Sequence, residues 1–500
     1  MPKTRELKKY VIVSRAIALL IVIGAIIIIV TNMNKSGYKL GELPERFIHE
    51  HEVGFFDKAV FEVRRQKILA GLDAEIILLS AATRPDFRYV TGFDERRGIA
   101  VIRPGADEAY TLFVTPWEVY TVMWTGEVHG TDGAVETFGA DAAFALNDFE
   151  DKLPGLLNGK KTIHLHGSDH HMKELVKAAL ETNRQTAEII DIAPALHEHR
   201  IFKDDWEISQ IKQAVNVTMK AHRYVMETLR PGLAEHEVQA GIEYVFRRNG
   251  LSPHFSTIVG TGSNTCLLHH SPGQSVIEDG HLVLVDIGAA SLGGYSADVT
   301  RTYPANGRFS PKQKEIYELV LKAADEARKL MKPGYKMLDC HHKAMDVMVA
   351  GLYEMGLLPD TTSWWQKRFY LQHRVNHYIG LQSHDVGSYG YDNSVRDNYI
   401  LNKEWRGREL EPGMIMTLEP GMYFKENLLD GIHELFGHLA PAEELNAFVG
   451  QVRPIYEKYE GIGVRLEDDI LITADGHINL SGALPLSVED IEKAMKNNAP

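Results

Sequence analysis

Near the C-terminal end the polar and apolar positions alternate with a period of two: Gly463 to Thr473 reads GVRLEDDILIT. With a period of two, Arg465, Glu467 and Asp469 share one face, while Val464, Leu466, Ile470 and Ile472 take the other. A polar face inside such a strand needs partners. The same logic applies to Leu282-Val283-Leu284-Val285, a β-branched run typical of a buried strand. It leads to Asp286, and Gly293-Gly294 then lets the chain reverse into Tyr295 to Thr302. The result is a hairpin that puts Asp286 and Asp298 at facing positions, so both carboxylates can point the same way. Helical periodicity is clearest after Asp204-Asp205, a capping signal, where Ile208, Ile211, Val215 and Met219 form one stripe and Pro231-Gly232 stops it. Further helices are predicted over Glu235 to Asn249 and Pro311 to Met331.

Upstream, short helical and strand signals alternate from Phe47 to Ile192: Ala59 to Leu72, Ile76 to Leu79, Gly98 to Ile102, Thr111 to Thr115, Lys173 to Glu181 and Ile189-Ile190. This pattern predicts an α/β domain over residues 37–199. The mixture of helices and antiparallel strands downstream predicts an α+β domain over residues 200–500.

One segment stands apart. Lys3, Arg5, Lys8 and Lys9 precede the almost wholly apolar run Val11 to Val30, which Arg15 interrupts. Twenty helical residues span roughly 30 Å, enough for a bilayer core. No A-x-A-like cleavage site follows, so residues 1–36 are expected to be a basic tail with an uncleaved transmembrane anchor. The positive-inside bias then places the catalytic part outside the cytoplasm, in the periplasm if the source is bacterial. A formal charge of -14 with no basic stripe beyond this tail excludes a nucleic-acid partner. The only cysteines, Cys266 and Cys340, lack metal-type spacing.

An unpaired aspartate buried in an apolar strand would neutralise, and a cation between two of them removes that cost. Asp286 and Asp298 therefore read as metal ligands, or else as a satisfied core aspartate beside a hairpin-turn aspartate. Three later stretches bear on the choice. His373, His377 and His384 crowd into HRVNHYIGLQSHDVG, with Gly380 and Gly387 permitting close backbone approach. In EPGMIMTLEPGMY, a strand ends on Glu419 before Pro420-Gly421 turns the chain, and Glu467 lies in the alternating segment. Taken singly, His377 also fits a core histidine, Glu419 a turn carboxylate and Glu467 a salt bridge to Arg465. His433-Glu434 with His438 imitates a zinc-protease helix, but its second histidine comes at i+5, off the face that two ligands need.

The order Asp, Asp, His, Glu, Glu within VDIGA, SADVTRTYP, NHYIGLQSHDVG, TLEPGMY and GVRLEDD resembles the pita-bread metallopeptidases, most closely the aminopeptidase P and prolidase branch. The resemblance covers about Arg200 to Leu480. A weaker echo, RPDFRYVTGF at Arg84 to Phe93, is similar to the creatinase-type N-terminal domain of the same enzymes. The spacing of twelve between Asp286 and Asp298 is one more than is common in the family, and Gly293-Gly294 can absorb it. Insertions over Tyr389 to Glu411 and Lys425 to Tyr459 also depart from the pattern.

The resemblance implies a dinuclear site in which Asp298 and Glu467 bridge, Asp286 completes one metal, and His377 and Glu419 hold the other. Four carboxylates and one imidazole form a hard donor set that favours Mn²⁺, with Co²⁺ and Zn²⁺ as alternatives. Two such ions hold a bridging water, lower its pKa and present hydroxide to a carbonyl carbon. Glu419 is the candidate general base, while His269 and His384 polarise the carbonyl and pass protons to the leaving nitrogen. His270 is adjacent to His269, but the L-H-Y-like pattern of the family aligns on His269.

The expected activity is removal of an N-terminal residue before proline by a metalloaminopeptidase acting on proline-containing peptides. The alternative is an Xaa-Pro dipeptidase, which needs a cation for the free carboxylate of proline; Arg406 or Arg408 could supply it. His373 and Arg465 are further candidate substrate contacts, and a homo-oligomer is expected. A membrane-tethered binding protein on a dead peptidase fold, or creatinase-like metal-free chemistry, should have lost ligands, and all five are present.

Overall fold

The structure is a computed structural model and describes residues 56–390 and 402–496. In the N-terminal part the short apolar runs pair into one six-stranded sheet. Its order is Ala142–Ala145, Tyr110–Val114, Gly98–Ile102, Ile77–Ser80, Thr162–Leu165 and Glu188–Asp191. The pairs around Gly98–Ile102 are antiparallel and the remaining three are parallel. Parallel neighbours need a crossover, and helix His170–Thr182 supplies the one between the last two strands. Its Met172 and Val176 pack with Phe149, Leu153 and Leu157 of helix Phe149–Leu157 over Leu78, Val101 and Ile163. Each such side chain contributes roughly 1.5–3 kcal/mol by leaving water.

The long helix Asp205–Thr228 starts where its capping signal predicts. Asp204 accepts from the Glu207 amide at 2.9 Å, and the Glu207 carboxylate accepts from the Asp204 amide at 3.0 Å. Ile211, Val215 and Met219 are buried along its stripe. Downstream, Ile258–Thr261, Leu282–Ile287 and Val299–Pro304 form an antiparallel sheet with Leu282–Ile287 in the centre. A second sheet joins Ile415–Leu418, Asp468–Ile472 and His477–Asn479. A bridge between Thr300 and Glu467 ties the two sheets together, so residues at their junction face one cleft.

The expected single-pass localisation is overturned. Among the described residues no helix is long and apolar enough to cross a membrane. The longest, Asp205–Thr228, has 24 residues, but Glu207, Lys212, Lys220, Arg223 and Glu227 interrupt it, whereas a span needs about twenty residues with few or no charges. Val11 to Val30, the segment that motivates the expectation, lies outside the described residues. The membrane partner and the extracytoplasmic placement are therefore set aside.

Candidate metal centre

The hairpin register pairs Asp286 with Thr300 and Ile287 with Val299, and Ala290 with Ser296 beyond them. Asp298 therefore lies opposite Gly288, diagonal to Asp286 on the same face of the ladder. Gly288 could not be another residue, because a Cβ there would collide with the Ala297 carbonyl and the Phe255 ring. The turn also depends on glycine. Gly294 has φ +81°, and a Cβ on it would run into the guanidinium of Arg88, which donates to the Leu292 carbonyl at 3.0 Å.

His377 arrives from a segment that runs along strand Ile415–Leu418. Its amide donates to Thr417 Oγ1 at 3.1 Å, and the Glu419 amide donates to the Val375 carbonyl at 2.8 Å. These bonds bring Glu419 and His377 to one wall. His377 Nε2 lies 3.8 Å from Asp298 Oδ2, 3.6 Å from Glu419 Oε1 and 3.9 Å from Glu467 Oε1. The alternating segment is two strands, Gly463–Arg465 paired with Gly421–Tyr423 and Asp468–Ile472 paired with Ile415–Leu418, rather than the single strand that its period predicts, yet Arg465, Glu467 and Asp469 each reach the aspartate hairpin. Arg465 Nη2 donates to Asp286 Oδ2 at 2.5 Å, Glu467 Oε2 accepts from Thr300 Oγ1 at 2.6 Å, and Asp469 Oδ2 accepts from the Asp298 amide at 3.0 Å. Asp286, Asp298, His377, Glu419 and Glu467 all line one cavity of about 570 Å³.

The electrostatics call for a cation. Burial, followed by repulsion from Asp286, raises Glu467 to about 8. Asp298 and Glu419 are pushed well above the carboxylate range by burial and then by Glu467. His377 is held neutral, its pKa lowered to about 3 by burial and by His384. Asp286 Oδ1 is buried without a hydrogen-bond partner, which buried polar atoms rarely tolerate. Arg465 meets only Asp286 of this group at ion-pair distance. Asp298, His377 and Glu467 offer ligand atoms that all lie within 4.8 Å of one another. Hard oxygens with a neutral imidazole suit divalent cations, so the donor set fits the metal pair that the motifs imply.

The second ring of expected residues divides. His269, His373, His384 and Arg465 line the cavity. The His384 ring lies 4.1 Å from that of His377 between centroids, and burial followed by Arg374 and His269 lowers its pKa. His373 Nε2 is 3.0 Å from the Tyr423 hydroxyl, and burial lowers its pKa to about 4. His270 also reaches the cavity but is bonded to Glu235 at 2.8 Å, whereas His269 is exposed at the rim. Arg406 and Arg408 are elsewhere. Arg406 pairs with Asp339 at 2.6 Å and Arg408 with Glu198 at 2.8 Å, and neither lines the cavity. His433, in the short helix Ile432–Phe436, bonds Asn446 on the surface.

Sequence reading missed three contributors. Arg374 lines the cavity, with its guanidinium 4.1 Å from the centre of the Tyr389 ring. Tyr423 accepts from Arg465 Nη1 at 3.0 Å, and Thr300 buttresses Glu467. Thr300 could have been found by alternation, since it lies two residues after Asp298.

Residues 209–474 match metallopeptidase family M24, and residues 61–166 match the aminopeptidase P N-terminal domain. The Xaa-Pro aminopeptidase of Escherichia coli (strain K12) is 34% identical over 426 residues, 82% of this chain and 88% of the relative. The Xaa-Pro dipeptidase of Homo sapiens is 29% identical over 401 residues, 77% of this chain and 78% of that one. The solved structure of Pseudomonas aeruginosa aminopeptidase PepP superposes with a TM-score of 0.76 at 33% identity, covering 88% of this chain and 98% of that chain. The likeness bears out the pita-bread fold with its N-terminal domain. Since the first match runs through both aspartates, His377, Glu419 and Glu467, and the E. coli relative extends it over most of the chain, the chain belongs to metallopeptidase family M24.

Proposed function

We propose that this chain is a metal-dependent aminopeptidase that hydrolyses the N-terminal Xaa-Pro bond of peptides. The observation that carries the reading is the convergence of four buried or cavity-wall carboxylates and one neutral imidazole on a single cavity, with Arg465 bonded to only one of them. Asp286, Asp298, His377, Glu419 and Glu467 are the residues that would hold the divalent cations. Divalent cations held there would supply Lewis-acid chemistry, acidifying a water and polarising a carbonyl. Manganese is the proposed metal, on the hardness of the oxygen donors.

The remaining chemistry belongs to the chain. Glu419, with 16% of its side chain exposed at the cavity wall, takes the proton of the attacking water and returns it towards the leaving amine. Like any peptide nitrogen the prolyl nitrogen must be protonated as it leaves, and because it carries no N–H it offers the site no hydrogen-bond donor by which to be held. His384, neutral and exposed at the rim, and His269 beside it hydrogen-bond the carbonyl oxygen and relay that proton. Arg465 fixes Asp286, and His373 closes the wall behind Glu419, 3.8 Å from its Oε2.

The dipeptidase reading keeps one observation in its favour, the arginine Arg374 on the cavity wall. It replaces Arg406 and Arg408 as the candidate partner for the carboxylate of a dipeptide. Metal-depleted protein is expected to be inactive and to regain hydrolysis of Xaa-Pro-Yaa peptides on addition of Mn²⁺. Exclusive cleavage of Xaa-Pro dipeptides would select the alternative. In that case Arg374→Gln should raise KM about tenfold or more, the loss of one charge-assisted contact.

A further inference from the structure

Asp86 opens helix Arg84–Thr91 in the N-terminal part and is 4% exposed. Three side chains converge on it. His166 Nε2 and His197 Nε2 lie 2.9 and 3.0 Å from its Oδ2, and Arg200 Nη1 donates to its Oδ1 at 2.8 Å. A carboxylate with two imidazoles is also a metal-ligand set. Here, however, Arg200 already supplies the positive charge, and both imidazoles bond the same oxygen, so the group is a hydrogen-bond hub. Burial opposes ionisation of Asp86, but the His197 and Arg200 contacts outweigh it and hold the carboxyl at about 2.

The other end of Arg200 reaches the catalytic part. Its Nη2 donates to Asp385 Oδ1, and Lys203 Nζ donates to Asp385 Oδ2 at 3.3 Å and to the Arg200 carbonyl at 2.7 Å. The side chains of Asp86, Arg200, Lys203 and Asp385 are all at most 5% exposed, and their charges cancel, two against two. Asp385 directly follows His384, and its amide donates to the carbonyl of Tyr378, the neighbour of His377, at 2.9 Å. The fit is tight on the catalytic side as well, because a Cβ on Gly380 would collide with the Asp385 carboxylate.

We propose that Asp86 is a positioning residue for the reaction: through Arg200 it fixes Asp385 and thereby the place of His384, so the N-terminal part contributes to turnover at the metal centre. A buried pair that loses one member leaves the other charge uncompensated. Arg200 must then find a new partner or draw in water, and either response moves Asp385. The inference rests on the assignment of His384 as a proton-handling residue.

The test measures kcat, KM and metal content on an Xaa-Pro-Yaa peptide for Mn²⁺-loaded Asp86→Ala, Asp86→Asn and His384→Ala. Asp86→Ala is expected to lower kcat about 10- to 100-fold, as a displaced catalytic group does, with KM little changed and both metals retained. Asp86→Asn keeps an acceptor for Arg200 and should recover most of that loss. In the His384→Ala background the Asp86→Ala change should cost less than about twofold, because two residues acting through one group are not additive. An Asp86→Ala protein with normal kcat but a lower melting temperature would overturn the proposal, as would a full loss in the His384→Ala background. Should Asp86→Ala not fold, Gly380→Ala displaces Asp385 from the other side; the expected result is again reduced kcat with metal retained, and unchanged kcat overturns the proposal. His384→Ala alone at wild-type rate would refute the role of His384 itself, whereas a slow His384→Ala beside a normal Asp86→Ala would refute only the link to Asp86.

Discussion

Glu467 and Asp468 are consecutive, almost equally buried, and opposite in electrostatic state. Asp468 accepts from Arg301 Nη2 at 2.7 Å, Ser481 Oγ at 2.6 Å and Asn479 Nδ2 at 2.8 Å, with Arg328 Nη2 at 3.4 Å. Burial opposes its ionisation, and Arg301 leads the contacts that more than offset it, lowering the carboxyl to about 2. Glu467 faces the other way, towards the aspartate hairpin, and burial followed by repulsion from Asp286 raises it to about 8. The chain therefore supplies a complete set of partners to one carboxylate and withholds it from its neighbour. A structural acid and a ligand acid differ in this, and not in burial.

The largest expected effect breaks the ligand side. Glu467→Ala or Asp298→Ala should abolish turnover and lower the metal content below two per chain; full metal occupancy with normal turnover would remove these residues from the site. His384→Ala should keep both metals while slowing kcat about 10²- to 10⁴-fold, the usual contribution of a general acid or base. Loss of metal in that variant would mean that its role and that of His377 are exchanged. On the structural side, Asp468→Ala should leave the metal content intact and cost about 3–5 kcal/mol in chemical denaturation, because Arg301 is left buried and unpaired.

The smallest effect is a dependence of stability on pH that differs between the two acids. Folded, metal-free Glu467 binds a proton more tightly than the unfolded chain does. Its contribution is complete below its ordinary value of 4.5 and is lost as pH rises through about 8. Asp468 behaves in the opposite sense: its contribution is present above 3.8 and is lost as pH falls through about 2. Metal-free protein should therefore unfold at lower denaturant at about pH 9 than at about pH 5, and Mn²⁺ should close the gap. Equal stability of the metal-free protein at both values would show that the ligand carboxylates already have partners.

The grouping of Arg465, Glu467 and Asp469 is legible in the sequence because alternation is local: a period of two decides which side chains share a face before any tertiary contact forms. The Asp204 cap and the Gly293-Gly294 reversal are legible for the same reason. The partners of the cations are not. Arg200 and Asp385 are 185 positions apart, and nothing near either residue announces the other. Arg406 and Arg408 belong to an insertion close in sequence to His384, yet Asp339 and Glu198 engage them outside the cavity, a competition that charge alone does not reveal. The N-terminal sheet mixes parallel and antiparallel pairs, and its order follows from long crossovers that short apolar runs do not encode.

The collision that a Cβ on Gly294 would make with Arg88 has a consequence for recombination. Arg88 belongs to the N-terminal part and Gly294 to the hairpin that carries both aspartates, so each residue's side chain, or lack of one, is shaped by the other. A chimera that borrows its N-terminal domain from a relative inherits only half of this fit. Grafts that carry the Arg88 and Gly294 positions together should seat cleanly, whereas grafts that split them will press an unmatched side chain against the turn between Asp286 and Asp298.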